Sequence, residues 1–416
     1  MSADIKTRML TLKEGKTGMS DKHIIYADNA ATTSVHPRVL AEMLPFLGEF
    51  YGNPSSLYSK GQEIAMYLDV ARKKIAGIIG CDPKEIYFTG GGSEGDNWAI
   101  KGAVDAYLQR FKTNTCHIIT TKIEHHAVLN TCKSLEKKGI SVTYLDVDKN
   151  GSVNPDDVVK NLRDDTCLVA VMYANNEIGT IEPIEKISKV LEGKKVLFFT
   201  DAVQAVGHIP VDVKKLGVDM LSLSGHKFRA PKGIGALYIK SGVVIKNLID
   251  GGGQERGKRG GTENVPSIMA LAKALEIANE EMQDDNARLA MLRDELISKI
   301  LEEIPESYLT GHPSKRLPGT ASFVFKYIEG ESLLLMLDAA GICASTGSAC
   351  SSKSLEPSHV LLSVGIPHEI AHGSLRLSLS HETTKEDIEY IIEKVKNVVQ
   401  TLRNFSPICP KELKNK

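Results

Sequence analysis

The sequence predicts an α/β fold: a large domain with a mostly parallel seven-stranded sheet between helices, and a smaller α+β domain. Two observations predict it. The chain has 416 residues, enough for two hydrophobic cores. From about residue 60 to 240, short apolar β-rich runs alternate with stretches of helical period. Such alternation is typical of a parallel sheet covered by helices on both faces.

Seven runs in this region have the length and composition of buried strands. One intervening stretch, Gly61–Ile79, places its apolar residues on a single helical face. In sheets of this kind ligands bind outside the carboxyl ends of the strands, so the residues just past each run are the candidates for a site. The predicted strands are Glu85–Thr89, His117–Thr121, Val142–Leu145, Cys167–Met172, Val196–Thr200, Met220–Leu223 and Ala236–Ile239.

The remaining third of the chain predicts the second domain. A helix begins near Pro266 and continues to about Glu303, with a polar break at Gln283–Asn286 that we take as the domain boundary. We therefore assign residues 1–22 to an N-terminal extension, 36–282 to the large domain, and 23–35 with 283–416 to the small one. Further elements are strands Thr320–Tyr327 and Arg376–Ser380 and helices Gly330–Ala340 and Lys385–Leu402.

Composition narrows the function. The formal net charge is −1, so no strong basic field predicts direct nucleic-acid binding. No apolar run is long enough to span a bilayer, and no membrane association is expected. The seven cysteines show no Cys-x-x-Cys pair and no zinc spacing, which favours a reducing cytoplasm and predicts no metal site.

The glycine-rich run Gly90–Gly95 follows a predicted strand and opens a helix. We expect Ser93 to cap that helix and Asp96 to complete a capping box, leaving backbone N–H groups free for an anion. The run also satisfies G-x-G-x-x-G, but a dinucleotide fold needs an acidic residue about 20 positions further on. Glu124 comes too late for that role. Taken alone, the run is as consistent with a tight turn as with phosphate binding.

Two further residues follow neighbouring strands. Asp201 alone would be read as a helix cap, and Lys227 alone as a lysine reaching solvent. Together with the glycine run they fall at one edge of one sheet. A pyridoxal 5'-phosphate site needs three parts: an anion-binding helix start, a carboxylate to pair with the ring nitrogen, and a lysine to form a Schiff base. A dehydrogenase would explain only the glycines.

At this point the sequence resembles the cysteine desulfurases of iron–sulfur cluster assembly, which are class V aminotransferase-like, fold-type I pyridoxal phosphate enzymes. The resemblance runs from about Ile25 to Leu402. It rests on these motifs: Asp28-Asn-Ala-Ala-Thr-Thr33, Gly52-Asn-Pro-Ser55, Glu124-His-His-Ala-Val128, Asn175-Asn-Glu-Ile-Gly179, Asp201-Ala-Val-Gln204, Ser224-Gly-His-Lys227, Gly260-Gly-Thr262, Ser345-Thr-Gly-Ser-Ala-Cys350 and Arg376-Leu-Ser378.

The resemblance implies a role for each matching residue. Lys227 bonds covalently to pyridoxal 5'-phosphate, and His125 stacks on its ring and serves in acid–base steps. Asp201 pairs with the ring nitrogen and Gln204 donates to the ring oxygen. Asn176 and Arg376 bind the substrate carboxylate, Cys350 is the nucleophile, and the remaining cofactor contacts are Gly92, Ser93, Ser224, His226 and, from a second subunit of a homodimer, Thr262.

The phosphate loop departs from the family's usual pattern at three positions. Ser93 stands where Thr is more frequent, which keeps the hydroxyl. Gly90 and Gly95 stand where Ser is more frequent, and the loss of two hydroxyls predicts a looser loop around the same cofactor.

Cys350 is also singled out by its surroundings. It lies among small polar residues, Ser345 to Ser352, which cannot pack as core, so we expect a mobile surface loop and an accessible thiol. Cys343, by contrast, is expected to be buried. By the resemblance, L-cysteine is converted to L-alanine and its sulfur passes to Cys350 as a persulfide, for delivery to an acceptor such as an iron–sulfur scaffold protein.

Three alternatives stay open at the level of sequence. A lyase acting on selenocysteine would share every motif. Transamination or decarboxylation on the same fold would leave Cys350 without a purpose. A non-catalytic scaffold presenting Cys350 as a cluster ligand would leave Lys227 unexplained.

Overall fold

A computed structural model describes residues 24–347 and 356–414, and the structural statements below concern these residues. The predicted N-terminal extension, residues 1–22, lies outside them. No helix in the described ranges is long and apolar enough to cross a membrane. The strands are β1 (Ile25–Tyr26), β2 (Ile86–Thr89), β3 (His117–Thr121), β4 (Ser141–Leu145), β5 (Thr166–Ala170), β6 (Leu197–Asp201), β7 (Met220–Ser224), β8 (Gly235–Ile239), β9 (Ser307–Leu309), β10 (Thr320–Phe325), β11 (Ile342–Cys343) and β12 (Ser374–Ser378).

The helices lie mostly between strands, as the alternation predicts. Three short helical turns, Pro83–Glu85, Gly225–Lys227 and Lys411–Leu413, accompany them, and Gln254–Gly257 forms a fourth turn. The helices are α1 (Pro37–Met43), α2 (Pro45–Gly48), α3 (Ser59–Ile79), α4 (Gly92–Phe111), α5 (His126–Glu136), α6 (Pro155–Lys160), α7 (Ile184–Leu191), α8 (Val213–Leu216), α9 (Val265–Glu303), α10 (Gly330–Ala339), α11 (His359–Ser363), α12 (His368–Ala371) and α13 (Lys385–Phe405).

The seven predicted strands form one seven-stranded sheet in the order β2-β8-β7-β6-β5-β3-β4. Only β8 runs antiparallel to its neighbours, so the predicted mostly parallel α/β sheet is confirmed. Strand ends differ from prediction by one or two residues. Because β5, β6 and β7 are parallel, their carboxyl ends lie at the same edge of the sheet.

A second core lies around a three-stranded antiparallel sheet, β12-β10-β9, covered by α10 and α13. The two-residue strands β1 and β11 pair in parallel beside it, so Ile25 at the start of the described chain is buried in this second core. Cys343, expected to be buried, lies in β11 and is half-buried. The apolar residues before Cys343 predict burial, but the surrounding structure covers only part of its side chain.

The helix α9 passes through the polar stretch Gln283–Asn286 without interruption and is 39 residues long. Its first part, to Ile277, packs in the core under the large sheet, and its second part, from Leu289, packs in the second core. The polar stretch therefore marks where the helix passes from one core to the other.

Candidate active site

A cavity of about 340 Å³ lies at the carboxyl ends of β5, β6 and β7. Thr262 does not line it; this residue is exposed in the segment before α9. Cys350 lies outside the described residues. Every other predicted site residue lines the cavity: Gly92, Ser93, His125, Asn176, Asp201, Gln204, Ser224, His226, Lys227 and Arg376.

The first turn of α4 forms one wall of this cavity. The helix begins at Gly92, and its N-cap is Gly91, whose φ of 147° favours glycine. The expected Ser93 cap is therefore wrong, because the glycine backbone starts the helix earlier and Ser93 falls within its first turn. The expected capping box is absent too, since Asp96 is buried and accepts a hydrogen bond from Ser222 Oγ at 2.5 Å.

Gly92 packs closely against Val203, which follows β6 and also lines the cavity. A methyl group at this position would lie 2.5 Å from Val203 Cγ2, so only glycine fits without displacing that side chain. The N–H groups of the first turn of α4 lack partners within the helix, as at every helix start, and carry the positive end of its dipole. The wall can hold an anion such as a phosphate.

Asp201 ends β6 and is buried. Its Oδ1 accepts the N–H of Val203 at 2.9 Å, and burial raises the pKa of the carboxyl to about 6, opposed by that hydrogen bond and by Lys227. Ligand atoms of Asp96, His125 and Asp201 lie within 4.8 Å of one another. Burial, and then the charge of Asp201, raise the pKa of Asp96 well above its usual range. The negative charge of the pair therefore concentrates on Asp201, which can hold a cation in the cavity.

His125 is the N-cap of α5. Its Nδ1 accepts the N–H of Ala127 at 3.1 Å, so the neutral ring carries its proton on Nε2. Burial, then Lys227, lower the pKa of His125 to about 4. At neutral pH the ring is therefore uncharged, which suits stacking on an aromatic group and leaves one N–H to donate.

Lys227 is held by the segment Asp28–Thr33, of which Ala30 and Ala31 line the cavity. Its Nζ donates to the carbonyl oxygens of Ala30 at 2.7 Å and Ala31 at 2.8 Å. Gln204 Nε2 also donates to the Ala30 carbonyl, at 2.9 Å, and a primary amide keeps a second N–H for another acceptor. The segment therefore aligns the amine and the amide before any ligand enters.

Arg376 extends from β12 into the same cavity. Its Nη1 donates to the Asn176 carbonyl at 2.8 Å, and its Nη2 pairs with Asp28 Oδ1 at 2.6 Å. Its buried Nε has no hydrogen-bond partner among the described residues. A buried donor without a partner costs free energy, and a carboxylate entering the cavity would supply the acceptor.

A second, more open cavity adjoins the first turn of α4 on its outer side. It is lined by Gly90–Glu94, Ser224, His226 and Lys232. His226 Nδ1 lies 3.1 Å from Thr32 Oγ1, and burial, then Lys227, lower the pKa of His226 to about 4. A phosphate held by the N–H groups of α4 would thus border a cavity that Lys232 also lines.

Sequence reasoning missed three of these contributors. Asp28 stands in a recognised motif without an assigned role, Asp96 is expected to form a capping box, and Lys232 has no predicted role. Each role depends on contacts between distant parts of the chain, such as Asp28 with Arg376. The spacing of apolar residues carries no signal for such contacts.

The residues present can hold a group with an anion at one end and a protonatable ring nitrogen at the other. Gly92 and Ser93 suit the anion, Asp201 suits the ring nitrogen, and Lys227 offers an amine between them. Arg376 then remains for a substrate carboxylate.

Comparison with known proteins gives concordant matches. The model of the family described as aminotransferase class-V matches residues 25–391. A protein of Methanosarcina thermophila named cysteine desulfurase IscS is 54% identical over 399 residues, 96% of this chain and 98% of the relative. Cysteine desulfurase 2 of Trichormus variabilis is 49% identical over 92% of this chain and 95% of its own.

Solved structures are similar over the same length. A NifS-like protein superposes with a TM-score of 0.85 at 40% identity, covering 91% of this chain and 100% of its own. A structure titled SspA in complex with cysteine gives a TM-score of 0.76 at 36% identity, covering 85% of this chain and 98% of the other.

Proposed function

This chain belongs to the cysteine desulfurases of the class V aminotransferase family, and from that premise we propose the residues, cofactor and partners with which it works. We propose that it takes L-cysteine, releases L-alanine and holds the sulfur on Cys350 as a persulfide. The observation that carries this proposal is the convergence of Lys227, Asp201, His125 and Arg376 on one cavity. Transamination needs no sulfur acceptor, so it would leave Cys350 without a function.

We propose pyridoxal 5'-phosphate as the cofactor, a group that the family uses. Gly92, Ser93, Ser224 and His226 would hold its phosphate, and Lys227 would bond to it covalently. Two features support the fit: glycine alone is tolerated where α4 meets Val203, and Asp201 is a buried carboxylate suited to a protonated ring nitrogen. When bound, this cofactor withdraws electrons from the substrate's α-carbon.

The chain's own groups perform the remaining work. Arg376 and Asn176 orient the substrate through its carboxylate, and the Nε of Arg376, which has no acceptor among the described residues, gains one. The amine of Lys227, which lines the cavity, would be the group placed to take the α-proton. Neutral His125 would stack on the cofactor ring and has the N–H of Nε2 to donate.

Sulfur transfer follows at the substrate's side chain. The thiolate of Cys350 forms an S–S bond with the substrate sulfur, and the Cβ–S bond breaks with its electron pair left on carbon. Proton uptake at that carbon, together with the return of a proton to the α-carbon, gives alanine. Gly347, which lies three residues before Cys350 in the sequence, lines the cavity and supports this assignment.

We propose a homodimer in which Thr262 of one subunit reaches the phosphate of the other. Large apolar side chains are exposed on α3 and the loop before it, including Leu57 at 94% and Met66 at 63%. Exposed apolar surface of this kind is typical of a contact between subunits. Arg259 pairs with Glu94 at 2.9 Å, which ties the segment before Thr262 to the phosphate loop of its own subunit.

We further propose that a second protein, such as an iron–sulfur scaffold, accepts the sulfur from Cys350 in the cytoplasm. A persulfide is passed on by thiol exchange, which a reducing compartment supports. The described cysteines are free thiols, as that compartment requires.

The nucleophile is tested by comparing two cysteine variants. Cys350→Ser should keep the cofactor's visible absorbance and its change on adding cysteine, because no earlier step needs the thiol, yet release almost no alanine. Cys343→Ser, the matched control, should release alanine normally. After cysteine without reductant, mass spectrometry should find one added sulfur on the wild-type peptide that contains Cys350. Sulfur on Cys343, or normal turnover by Cys350→Ser, would refute the proposal.

A further inference from the structure

Glu177 is a buried carboxylate beside the active cavity that has no role in the mechanism above. It lies in the loop after β5 and is 6% exposed. Asn175 Oδ1 accepts the N–H groups of Glu177 at 2.8 Å and Ile178 at 3.0 Å, so the backbone at Glu177 is fixed. A carboxylate buried this deeply needs donors to offset its desolvation.

One donor is Ser358. Its Oγ donates a short hydrogen bond to Glu177 Oε2. Ser358 Oγ in turn accepts the N–H of Val360 at 3.1 Å and of Leu361 at 3.3 Å, because Ser358 is the N-cap of α11. The carboxylate of Glu177 therefore fixes the residue from which α11 starts.

The other neighbour is Gly347. A methyl group on this residue would lie 2.6 Å from Glu177 Oε2 and 2.9 Å from Ser358 Cβ, so its backbone packs directly against both. Gly347 also lines the active cavity. Gly347 and Ser358 stand on either side of Cys350 in the sequence. A single carboxylate thus contacts both flanks of the nucleophile.

The substrate-binding arginine belongs to the same group of contacts. Arg376 and Ser345, two residues before Gly347, exchange two backbone hydrogen bonds, at 2.6 and 3.2 Å. Burial raises the pKa of Glu177 to about 7, opposed by the Ser358 hydrogen bond and by Arg376. The flanks of Cys350 and the arginine that holds the substrate carboxylate therefore share one support.

We propose that Glu177 is a positioning residue for sulfur transfer, holding Gly347 and Ser358 so that Cys350 meets the substrate sulfur. This inference rests on the proposed function, since it takes Cys350 as the nucleophile. A misplacement of about 1 Å in a reacting group can cost about 100-fold in rate. Loss of the support should therefore slow transfer while leaving the earlier steps intact.

The test removes the same contact from each side. Glu177→Ala and Ser358→Ala should keep the cofactor absorbance. Adding cysteine should change this absorbance as in wild type, with the same half-saturating cysteine concentration. Persulfide formation on Cys350 and alanine release in one turnover should slow about 10- to 100-fold. Glu177→Gln, whose amide oxygen can still accept from Ser358, should recover most of the rate.

Glu182→Gln is the matched control. Glu182 is also a buried carboxylate in the stretch after β5, but it accepts the N–H of Val153 at 2.9 Å and has no contact with the flanks of Cys350 among the described residues. This variant should transfer sulfur at the wild-type rate. Thermal unfolding of each variant identifies any that fails to fold, and if Glu177→Ala does, Ser358→Ala decides.

Two results would overturn the inference: wild-type transfer rates in folded Glu177→Ala and Ser358→Ala, or equal losses in the cofactor's spectral change and in sulfur transfer. Failure of the proposed function looks different, because Cys350→Ser would then release alanine normally. An inactive Cys350→Ser beside fully active Glu177 variants would refute the positioning role alone.

Discussion

Replacing Arg376 by lysine tests how this protein holds the substrate carboxylate. The guanidinium is anchored by Asn176 and Asp28, and its Nε, which has no partner among the described residues, is the donor we propose for the substrate. Lysine keeps the charge but offers a single point donor in place of the fork. Losing one charge-assisted hydrogen bond costs about 1.5–3 kcal/mol, so KM for cysteine should rise about 10- to 150-fold. The value of kcat should change much less, because the reacting bond is not touched.

The assay is alanine release over a range of cysteine concentrations, with cofactor content and thermal unfolding measured in parallel. Arg288→Lys is the matched control: Arg288 donates to the carbonyls of Thr383 at 2.7 Å and His381 at 2.8 Å, and does not line the active cavity. It should leave KM unchanged. Cysteine methyl ester, which lacks the carboxylate, should bind wild type and Arg376→Lys with similar affinity.

A KM within about twofold of wild type in a folded Arg376→Lys protein would refute this reasoning. So would an equal rise in the dissociation constant of the methyl ester, because the arginine would then serve the shape of the cavity and not the carboxylate.

The other predictions concern the lysine, the dimer and the pH dependence of stability. Borohydride reduction and peptide mapping should find the cofactor on Lys227 and not on Lys232; label on Lys232 alone would contradict the assignment. Met66→Glu should weaken the dimer in light scattering while Leu335→Glu, at an apolar site in α10 that is at least as exposed, should not; a dimer that persists in Met66→Glu places the interface elsewhere. Burial raises the pKa of Glu182 to about 8, so between its ordinary value of 4.5 and about 8 the folded carboxyl keeps a proton that the unfolded chain has lost, and stability falls as pH rises. Glu182→Gln should remove this pH-dependent contribution to stability. The melting temperature of the variant minus that of wild type should therefore rise from pH 5 to 8. A difference in melting temperature that stays constant over this range would refute the raised pKa of Glu182.

The parallel sheet could be predicted from the sequence because its central strands are buried on both faces and therefore appear as mostly apolar runs. His117–Thr121 was predicted residue for residue. Asp201 and Lys227 were singled out because they follow such runs, and parallel topology brings the carboxyl ends of neighbouring strands to one edge.

The contacts that orient these residues could not be predicted in the same way. The hydrogen bond from Lys227 to Ala30 and the pair between Arg376 and Asp28 join residues far apart in the chain. The Ser93 cap failed for a local reason, since three consecutive glycines leave the start of the helix undetermined by side-chain preference and the backbone of Gly91 decided it.

The long helix α9 has a consequence for how the protein unfolds. At about 1.5 Å per residue its 39 residues form a rod of roughly 58 Å, and its two halves supply side chains to different cores. Melting either core alone would leave half of this rod with its apolar stripe in water, still joined by continuous backbone hydrogen bonds to the intact half. The two cores therefore share one cooperative unit, and calorimetry should record a single heat-absorption peak instead of one for each core.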